Sequence, residues 1–192
     1  MRLILGSGSP TRRAMLLQAG LDFDVVVPDV DEDAVKADWT GTPAGLAREL
    51  ARMKALAVSA LHPDALVIAA DQVLELEGWI FSKPGNRRKA ARHLNRLAGQ
   101  THELHTAMAL GRGSAVVHEE LTTPRLTMRA MTETEIADYV AAAPESAWGT
   151  VGGYQVEGPG IRLFERIEGG WHDILGLPLL PLLNWLRAEA SA

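Results

Sequence analysis

The residue types best suited to chemistry first appear in a short turn near the start of the chain. Residues 7–13 read Ser-Gly-Ser-Pro-Thr-Arg-Arg, between a predicted strand at 2–6 and a predicted helix at 12–18. Small residues allow backbone N–H groups to approach an anion, and the dipole of the following helix favours negative charge. Arg12 and Arg13 add charged donors. The turn is a candidate phosphate-binding site, and an ordinary polar loop with surface arginines is the alternative interpretation.

Carboxylates form the second candidate group. Asp31 and Glu32 lie in the acidic segment 29–33, which we predict to be a loop, and Asp71 ends the continuous apolar run 65–70. Such a run is typical of a strand buried on both faces, where a carboxylate is costly without a partner. Mg²⁺ takes oxygen ligands and shares its shell with substrate phosphates. Asp71 is therefore the stronger candidate ligand, and a solvated loop is the alternative for 29–33.

Lys83 and the histidines give weaker signals. Lys83 precedes Pro84, which favours an extended backbone from which the ammonium could reach a phosphate. An ordinary exposed lysine is the alternative. His102 and His105 lie three residues apart on a predicted strand and point to opposite faces, so they do not form a zinc pattern.

Composition limits the class of protein. The chain has 192 residues, of which 47% are hydrophobic and 22% charged, as expected for one globular domain. A formal net charge of −5 argues against a nucleic-acid-binding surface, and the absence of cysteine excludes disulfides, thiolate zinc sites and a cysteine nucleophile. No stretch reaches the ~20 apolar residues that span a bilayer. We therefore expect a soluble, cytoplasmic protein with no nucleic-acid or membrane partner.

The order of predicted elements favours an α/β fold. Strand 2–6, helix 12–18 and strand 23–27 open the chain, and Thr42-Pro43 starts an amphipathic helix. The remaining expected elements are a strand at 65–70, a hairpin at 73–81, a helix at 86–98, strands at 101–110 and 115–128, a capping box at 132–135 and a final helix at 180–188.

Seven short motifs, taken in order, resemble those of the Maf family of nucleotide pyrophosphatases over nearly the whole chain. They read Ser-x-Ser-Pro-x-Arg-Arg, Val-Asp-Glu, Lys-Ala, Ala-Asp, Lys-Pro, Gly-x-x-His and Gly-Leu-Pro, at residues 7–13, 30–32, 54–55, 70–71, 83–84, 99–102 and 176–178. None is specific alone, but seven in the right order over one domain length do not coincide by chance.

The resemblance implies both a fold and an activity. The fold is an elongated α/β single domain over residues 1–192, with a mixed β-sheet flanked by helices and a deep central cleft, and it is commonly dimeric. The activity is hydrolysis between the α- and β-phosphates of a nucleoside triphosphate, which gives a nucleoside monophosphate and pyrophosphate.

Two positions are similar to the branch of the family that acts on 7-methyl-GTP. This chain has Asp71-Gln72 where the pyrimidine-preferring branch has Asp-Thr, and Glu157 where that branch has Gln. Methylation at N7 makes guanine cationic, and a carboxylate in the pocket can favour such a base. Thr11 and Ser82 depart from the 7-methyl-GTP branch, which often carries Trp and Gly at these positions.

The resemblance also implies roles for the candidate residues. The substrate-binding set is Ser7, Ser9, Arg12, Arg13, Lys54, Gln72 and Glu157, and the catalytic set is Asp71, Glu32 and Lys83. Glu32 and Asp71 are expected to hold Mg²⁺ or Mn²⁺, with one of them, Asp71 by preference, orienting or deprotonating the attacking water. Lys83 is expected to neutralise charge that grows in the transition state.

Two other functions stay open at this point. One is a dTTP or UTP pyrophosphatase of the other branch. The other is a non-catalytic nucleotide-binding regulator of cell division, against which the intact set of acidic, arginine and lysine residues argues. Rates across a panel of nucleotides would separate the three.

Overall fold

A mixed β-sheet flanked by helices forms the fold, which a computed structural model describes for residues 1–191. The strands are β1 (Arg2–Leu5), β2 (Asp24–Val25), β3 (Ala65–Leu76), β4 (Trp79–Phe81), β5 (Thr101–Arg112), β6 (Ala115–Thr122), β7 (Arg125–Met128) and β8 (Phe164–Glu168). They pair in the order β2-β1-β3-β5-β7-β8, with β4 beside β3 and β6 beside β5. The predicted α/β class is confirmed.

Seven α-helices accompany these strands within residues 1–191. They are α1 (Pro10–Gln18), α2 (Glu32–Asp38), α3 (Pro43–Ser59), α4 (Arg87–Leu97), α5 (Glu133–Ala142), α6 (Trp171–Ile174) and α7 (Leu179–Ala190). Three short 3₁₀ turns cover Glu145–Gly149, Val151–Gly153 and Pro159–Leu163.

The chain forms two compact units. The first contains residues 1–72, 106–122 and the described residues from 170 onward, and the second contains residues 73–105 and 123–169. Strands β3 and β5 each contribute residues to both units. The expectation of one domain over residues 1–192 stays a prediction.

Parallel pairing of the first strands organises the first unit. Strand β1 lies between β2 and β3, with Leu5 opposite both Val25 and Ile68. The N–H of Gly6 donates to the carbonyl of Ile68 over 2.8 Å, which extends this pairing into the turn after β1. Carboxyl ends of parallel strands meet at one edge of a sheet, and loops at that edge commonly form ligand sites. The turns after β1 and β2 therefore emerge side by side.

Strand β3 is buried on both faces within the first unit, as its apolar run predicts. On one face Leu66 and Ile68 pack in a core with residues of α1 and α7. On the other face Val67 packs with Val58 of α3. Each fully buried Leu, Ile or Val contributes about 1.5–3 kcal/mol. Alternation along the strand assigns its odd-numbered residues to the α3 side.

Helix α3 has the predicted start and the predicted apolar face. Thr42 Oγ1 accepts a hydrogen bond from the N–H of Gly45 over 3.1 Å, and Pro43 is the first helical residue. Leu46 and Leu50 are buried on the face that meets the core. This helix brings Lys54 to β3.

A close backbone contact fixes α3 against β5. A Cβ built on Gly111 would lie 2.9 Å from Ser59 Oγ and 3.0 Å from the carbonyl oxygen of Ala55. Ser59 Oγ also donates to the carbonyl of Gly113 over 2.7 Å. Only glycine leaves room for this approach.

Three expected boundaries were wrong. The segment 29–33 is not a loop throughout, because Asp31 caps α2 by accepting a hydrogen bond from the N–H of Ala34 over 3.0 Å, and acidic residues are favourable in a first turn. Strand β3 does not end at Asp71 but continues to the Glu77-Gly78 turn, where both φ angles are positive. The stretch 115–128 divides into β6 and β7.

The interruption between β6 and β7 has a local cause. Pro124 lies between the two strands and has no N–H to donate to a neighbouring strand.

The capping box predicted before α5 is confirmed in the second unit. Thr132 Oγ1 accepts a hydrogen bond from the N–H of Glu135, and the Glu135 carboxylate accepts one from the N–H of Thr132.

His102 lies in the core of the second unit. It is 0% exposed, and its Nε2 lies 2.6 Å from the hydroxyl oxygen of Tyr154. Burial lowers the pKa of His102 from 6.5 to about 4, so the folded protein holds the ring neutral. Between pH 6.5 and about pH 4, the unfolded chain binds a proton at His102 that the folded chain excludes. The free energy of unfolding therefore falls as the pH decreases through this window.

Replacing His102 by Gln should remove this part of the pH dependence. The loss of unfolding free energy on acidification from pH 6.5 to 4 should shrink by about 3 kcal/mol relative to the wild type. Urea denaturation at a series of pH values measures it. The exposed His172→Gln variant is the control and should follow the wild-type profile. Identical slopes for wild type and His102→Gln would contradict the assignment.

Candidate functional site

A buried lysine joins two carboxylates in the first unit. The ammonium of Lys54 lies 2.5 Å from Asp71 Oδ1 and 2.7 Å from Glu32 Oε1. Lys54 is 7% exposed and Asp71 is 6% exposed. One positive charge thus contacts two negative charges in a poorly hydrated place, which leaves one excess negative charge and makes each ion depend strongly on the others.

Each member of this cluster is brought there by its own element. Asp71 is an odd-numbered residue of β3, so it faces α3, and Lys54 projects from the buried face of that helix. Glu32 is the first residue of α2, held there by the Asp31 cap. The sequence motifs that contain these three residues therefore converge on one point.

The two lysines that contact Glu32 control its ionisation. Burial alone would raise the pKa of this carboxyl, but hydrogen bonds and charge from Lys54 and Lys36 outweigh burial and lower the pKa to about 2. The Lys36 ammonium lies 3.0 Å from Glu32 Oε2 on the exposed side of α2. Glu32 is therefore ionised throughout the neutral range.

The turn after β1 is closed by its own side chains. Ser9 caps α1 by accepting a hydrogen bond from the N–H of Arg12 over 3.3 Å, while Ser7 Oγ accepts from the N–H of Ser9 over 3.2 Å. Ser7 is buried and Ser9 is half-buried. The N-terminus of α1 is thus directed to the edge where the parallel strands end.

The two arginines of this turn point in different directions. Arg12 donates from Nε to the carbonyl of Gly176 over 2.7 Å and from Nη1 to Ser7 Oγ over 3.2 Å, whereas Arg13 is exposed. Burial lowers the pKa of the Arg12 guanidinium, and the negative charges of Asp71 and Glu32 act in the opposite direction. Arg12 is therefore a fixed cation in the field of the carboxylate cluster.

Gly176 is a site residue whose role sequence reasoning missed. Its φ of 99° favours glycine, and a Cβ there would lie 3.3 Å from Arg12 Nη2. The Gly-Leu-Pro motif contains this residue, so the signal was present. What the motif did not reveal is that the carbonyl of Gly176 orients Arg12.

Gln72 lies on the opposite face of β3 from Asp71. Its amide nitrogen is 2.8 Å from Thr106 Oγ1, 3.0 Å from the carbonyl oxygen of Ile174 and 3.1 Å from that of Asp173. These bonds attach β3 to α6. The suggested contact of Gln72 with a base stays a prediction, and Thr106 is a polar partner that the motifs did not identify.

Lys83 and Glu157 belong to the second unit. Both are exposed, and within residues 1–191 neither forms an ion pair. Their exposure leaves both charged groups available to a ligand. Their expected catalytic and base-binding roles stay predictions.

The family described as Maf-like protein matches residues 2–189. The chain belongs to the Maf family. The Ser7–Arg12 turn, the Lys54–Asp71–Glu32 cluster and Gly176 therefore lie within the matched range of a Maf protein.

Curated relatives of this Maf protein carry two names. A nucleoside triphosphate pyrophosphatase of Bradyrhizobium diazoefficiens is 47% identical over 188 residues, covering 97% of this chain and 93% of the relative. Proteins named 7-methyl-GTP pyrophosphatase are 42% identical in Brucella abortus, covering 98% and 96%, and 46% identical in Rhizobium johnstonii, covering 97% and 95%.

One solved structure is a more distant match to this Maf protein. It is a nucleoside-triphosphatase, dITP/XTP pyrophosphatase, from Mycobacterium abscessus, with 19% identity and a TM-score of 0.41, covering 67% of this chain and 74% of that one. Across residues 1–191 of the Maf protein, none of the helices has the length and apolar character to cross a membrane.

The carboxylate cluster of this Maf protein has the donor chemistry of a hard-cation site. Lys54 contacts Asp71 through Oδ1, and Asp71 Oδ2 accepts no hydrogen bond from the part of the chain that the structure describes. Carboxylate oxygens are what Mg²⁺ or Mn²⁺ takes from protein, with substrate phosphates and water completing the shell. Asp71 Oδ2 is therefore open to a divalent ion, and Glu32, whose two oxygens each contact one lysine ammonium, has further lone pairs to offer.

Proposed function

We propose that this chain is a nucleoside triphosphate pyrophosphatase that cleaves between the α- and β-phosphates. The observation that carries the proposal is the buried Lys54–Asp71–Glu32 cluster in the field of Arg12, beside a helix N-terminus suited to phosphate. Relatives at 42–47% identity named as pyrophosphatases support it. As such an enzyme, the protein is a hydrolase of acid anhydrides.

Substrate binding begins at the turn after β1. The positive end of the α1 dipole, the hydroxyl proton of Ser9 and the exposed guanidinium of Arg13 are available to phosphate oxygens, while Arg12 is already oriented by Gly176. A guanidinium held in place before the substrate arrives needs no reorganisation as charge develops. The turn therefore binds the triphosphate and stabilises its developing charge.

Asp71 acts on the attacking water. Lys54 holds Oδ1, which leaves Oδ2 to accept a proton or a hydrogen bond from water. The water oxygen forms a bond to the α-phosphorus, the bond to the bridging oxygen breaks, and pyrophosphate leaves. Lys54 orients the Asp71 carboxylate by donating a hydrogen bond to Oδ1. Lys83 is proposed to neutralise the negative charge that grows in the transition state, and this role rests only on the resemblance of Lys83-Pro84 to the family motif.

Glu32 and Asp71 hold the divalent ion in this proposal. When bound, Mg²⁺ or Mn²⁺ supplies positive charge that neutralises phosphate oxygens and polarises the anhydride. Glu32 suits this role because its carboxyl is ionised at neutral pH, with a pKa of about 2. The protein contributes the orientation of both carboxylates through Lys54.

The substrate that we propose is 7-methyl-GTP. Two relatives that cover nearly the whole chain bear that name, and Glu157 offers an exposed carboxylate to a cationic base. Pyrophosphate release from 7-methyl-GTP, GTP, dTTP, UTP and CTP tests the proposal. Fastest release from dTTP or UTP would assign the other branch, and no release from any would favour the non-catalytic nucleotide-binding regulator.

Replacing Glu157 by Gln should reduce the preference for 7-methyl-GTP over GTP. A charge pair at 4 Å in water is worth about 1 kcal/mol, so the ratio of kcat/KM values should fall by roughly fivefold. The rate with GTP should change little, because that base is neutral. Glu165→Gln, at an exposed glutamate in the same segment, is the control. An unchanged ratio in Glu157→Gln would remove the residue from base recognition.

A further inference from the structure

A second group of ligand-type side chains lies in the second unit and takes no part in the proposed reaction. Glu75 lies on β3, and Glu103 and His105 lie on β5, with one ligand atom of each within 4.8 Å of the others. His105 Nε2 is 3.6 Å from Glu75 Oε2 and 3.8 Å from Glu103 Oε2. Both distances are too long for ordinary hydrogen bonds.

The imidazole of His105 has one nitrogen that the fold leaves unused. The side chain is 9% exposed, and Nε2 has no hydrogen-bond partner within residues 1–191. Nδ1 lies 3.4 Å from Thr123 Oγ1. When Nδ1–H donates to this hydroxyl, Nε2 presents a lone pair to two carboxylates. Three electron-rich atoms that face one another form a donor set suited to a cation.

The other atom of each carboxylate is already engaged. Glu75 Oε1 accepts a hydrogen bond from the N–H of Gly78 in the turn before β4. Glu103 Oε1 lies 3.7 Å from Arg125 Nε on β7. Partners of this kind orient metal ligands and fix which atom faces the ion. Both carboxylates thus present their second oxygen to His105 Nε2.

We propose that Glu75, Glu103 and His105 bind a divalent transition-metal ion, with Zn²⁺ the best fit. In a tetrahedral site with metal–ligand bonds of about 2.1 Å, ligand atoms are about 3.4 Å apart, so small side-chain shifts complete the site. A water takes the fourth position. An imidazole ligand selects Zn²⁺ or Co²⁺ over Mg²⁺. Glu103, whose side chain is 37% exposed, leaves a path for entry.

Binding of this ion would stabilise the second unit. The ligands come from neighbouring strands β3 and β5, and His105 is held by Thr123 just before β7. An ion that binds only the folded form adds stability in proportion to its affinity. The site shares no residue with the Lys54 cluster, so the inference stands apart from the proposed function.

Zinc titration of the full-length, chelator-treated protein tests the proposal. Calorimetry should show one Zn²⁺ that excess Mg²⁺ does not displace, and Co²⁺ should give the visible absorption of a four-coordinate site. His105→Gln should weaken this binding at least tenfold. His118→Gln is the control, since His118 faces one carboxylate, Glu120, at 3.9 Å and should bind zinc as the wild type does.

A second variant keeps the test decisive if His105→Gln does not fold. Glu103→Gln changes a partly exposed side chain, and it should also lose affinity and lose the rise in melting temperature that Zn²⁺ gives the wild type. Asp71→Asn should retain this zinc ion. Absence of zinc binding by the wild type, or wild-type zinc affinity in Glu103→Gln or in a folded His105→Gln, would overturn the proposal.

Discussion

The Asp71→Asn variant should fold and bind nucleotide but lose turnover by about a thousandfold or more. The amide cannot accept a proton from water, and a positioned general base contributes roughly 10²–10⁴ in rate. Lys54 still finds Glu32 at 2.7 Å, so one carboxylate continues to neutralise the buried ammonium. Single-turnover pyrophosphate release, with nucleotide binding measured separately, gives the two parts of this result.

Asp33→Asn is the matched control for this variant. This variant has the same replacement of Asp by Asn, one residue from Glu32, but Asp33 is exposed in the first turn of α2. The rate should stay within about twofold, because the loss is at most a small helix-dipole effect of about 0.3–1 kcal/mol on stability. Near-normal turnover in Asp71→Asn would remove Asp71 from the chemistry, whatever the nucleotide.

Replacing Lys54 by Met should give the largest loss of stability. Two carboxylates would then face each other without their ammonium, and removing one partner from a buried ion pair costs about 3–5 kcal/mol. Turnover should fall as well, because Asp71 loses the group that orients it. Denaturant unfolding and the nucleotide assay measure the two losses.

The stability difference between Lys54→Met and wild type should depend on pH. In the wild type the lysines hold the pKa of Glu32 near 2, against an ordinary value of 4.5, so their stabilisation is complete above pH 4.5 and is lost as the pH falls towards 2. The difference should therefore be largest above pH 5 and shrink on acidification. A constant difference would contradict this electrostatic account.

Lys36→Met provides a control on the same carboxylate. Lys36 contacts the other oxygen of Glu32 from an exposed i,i+4 position, where such pairs contribute about 0.3–0.5 kcal/mol. We expect this small loss and nearly normal turnover. A loss in Lys36→Met equal to that in Lys54→Met would mean that burial does not distinguish the two lysines.

Local patterns predicted the elements of the fold better than their ends. The apolar run of β3 and the cap and stripe of α3 were read correctly, because burial and capping act over a few residues. The end of β3 was misplaced, since a charged Asp71 looks like a strand terminus when its partner is unknown. The partner of Asp71 is the ammonium of Lys54, which lies 17 residues earlier on α3, and only tertiary packing brings the two together.

The candidate site was predictable as a set of residues but not as a set of contacts. The motifs that contain Glu32, Lys54 and Asp71 gave the chemistry, yet none indicated that one ammonium contacts both carboxylates. Gly176 belongs to the Gly-Leu-Pro motif, but Arg12 is oriented by the backbone carbonyl of Gly176, and a backbone contact cannot be predicted from the type of side chain. The group of Glu75, Glu103 and His105 was not identified from the sequence: Glu103 and His105 lie two residues apart on β5, but Glu75 lies on another strand.

The close contact of Gly111 with Ala55 and Ser59 fixes the position of Lys54 within narrow limits. Lys54 is the residue before Ala55, so the height of α3 above β5 sets how far its ammonium reaches. A methyl group at position 111 would push α3 away from β5 by a few tenths of an ångström. The glycine at position 111 therefore helps to place the Lys54 ammonium, although it is not itself a member of the Lys54–Asp71–Glu32 cluster.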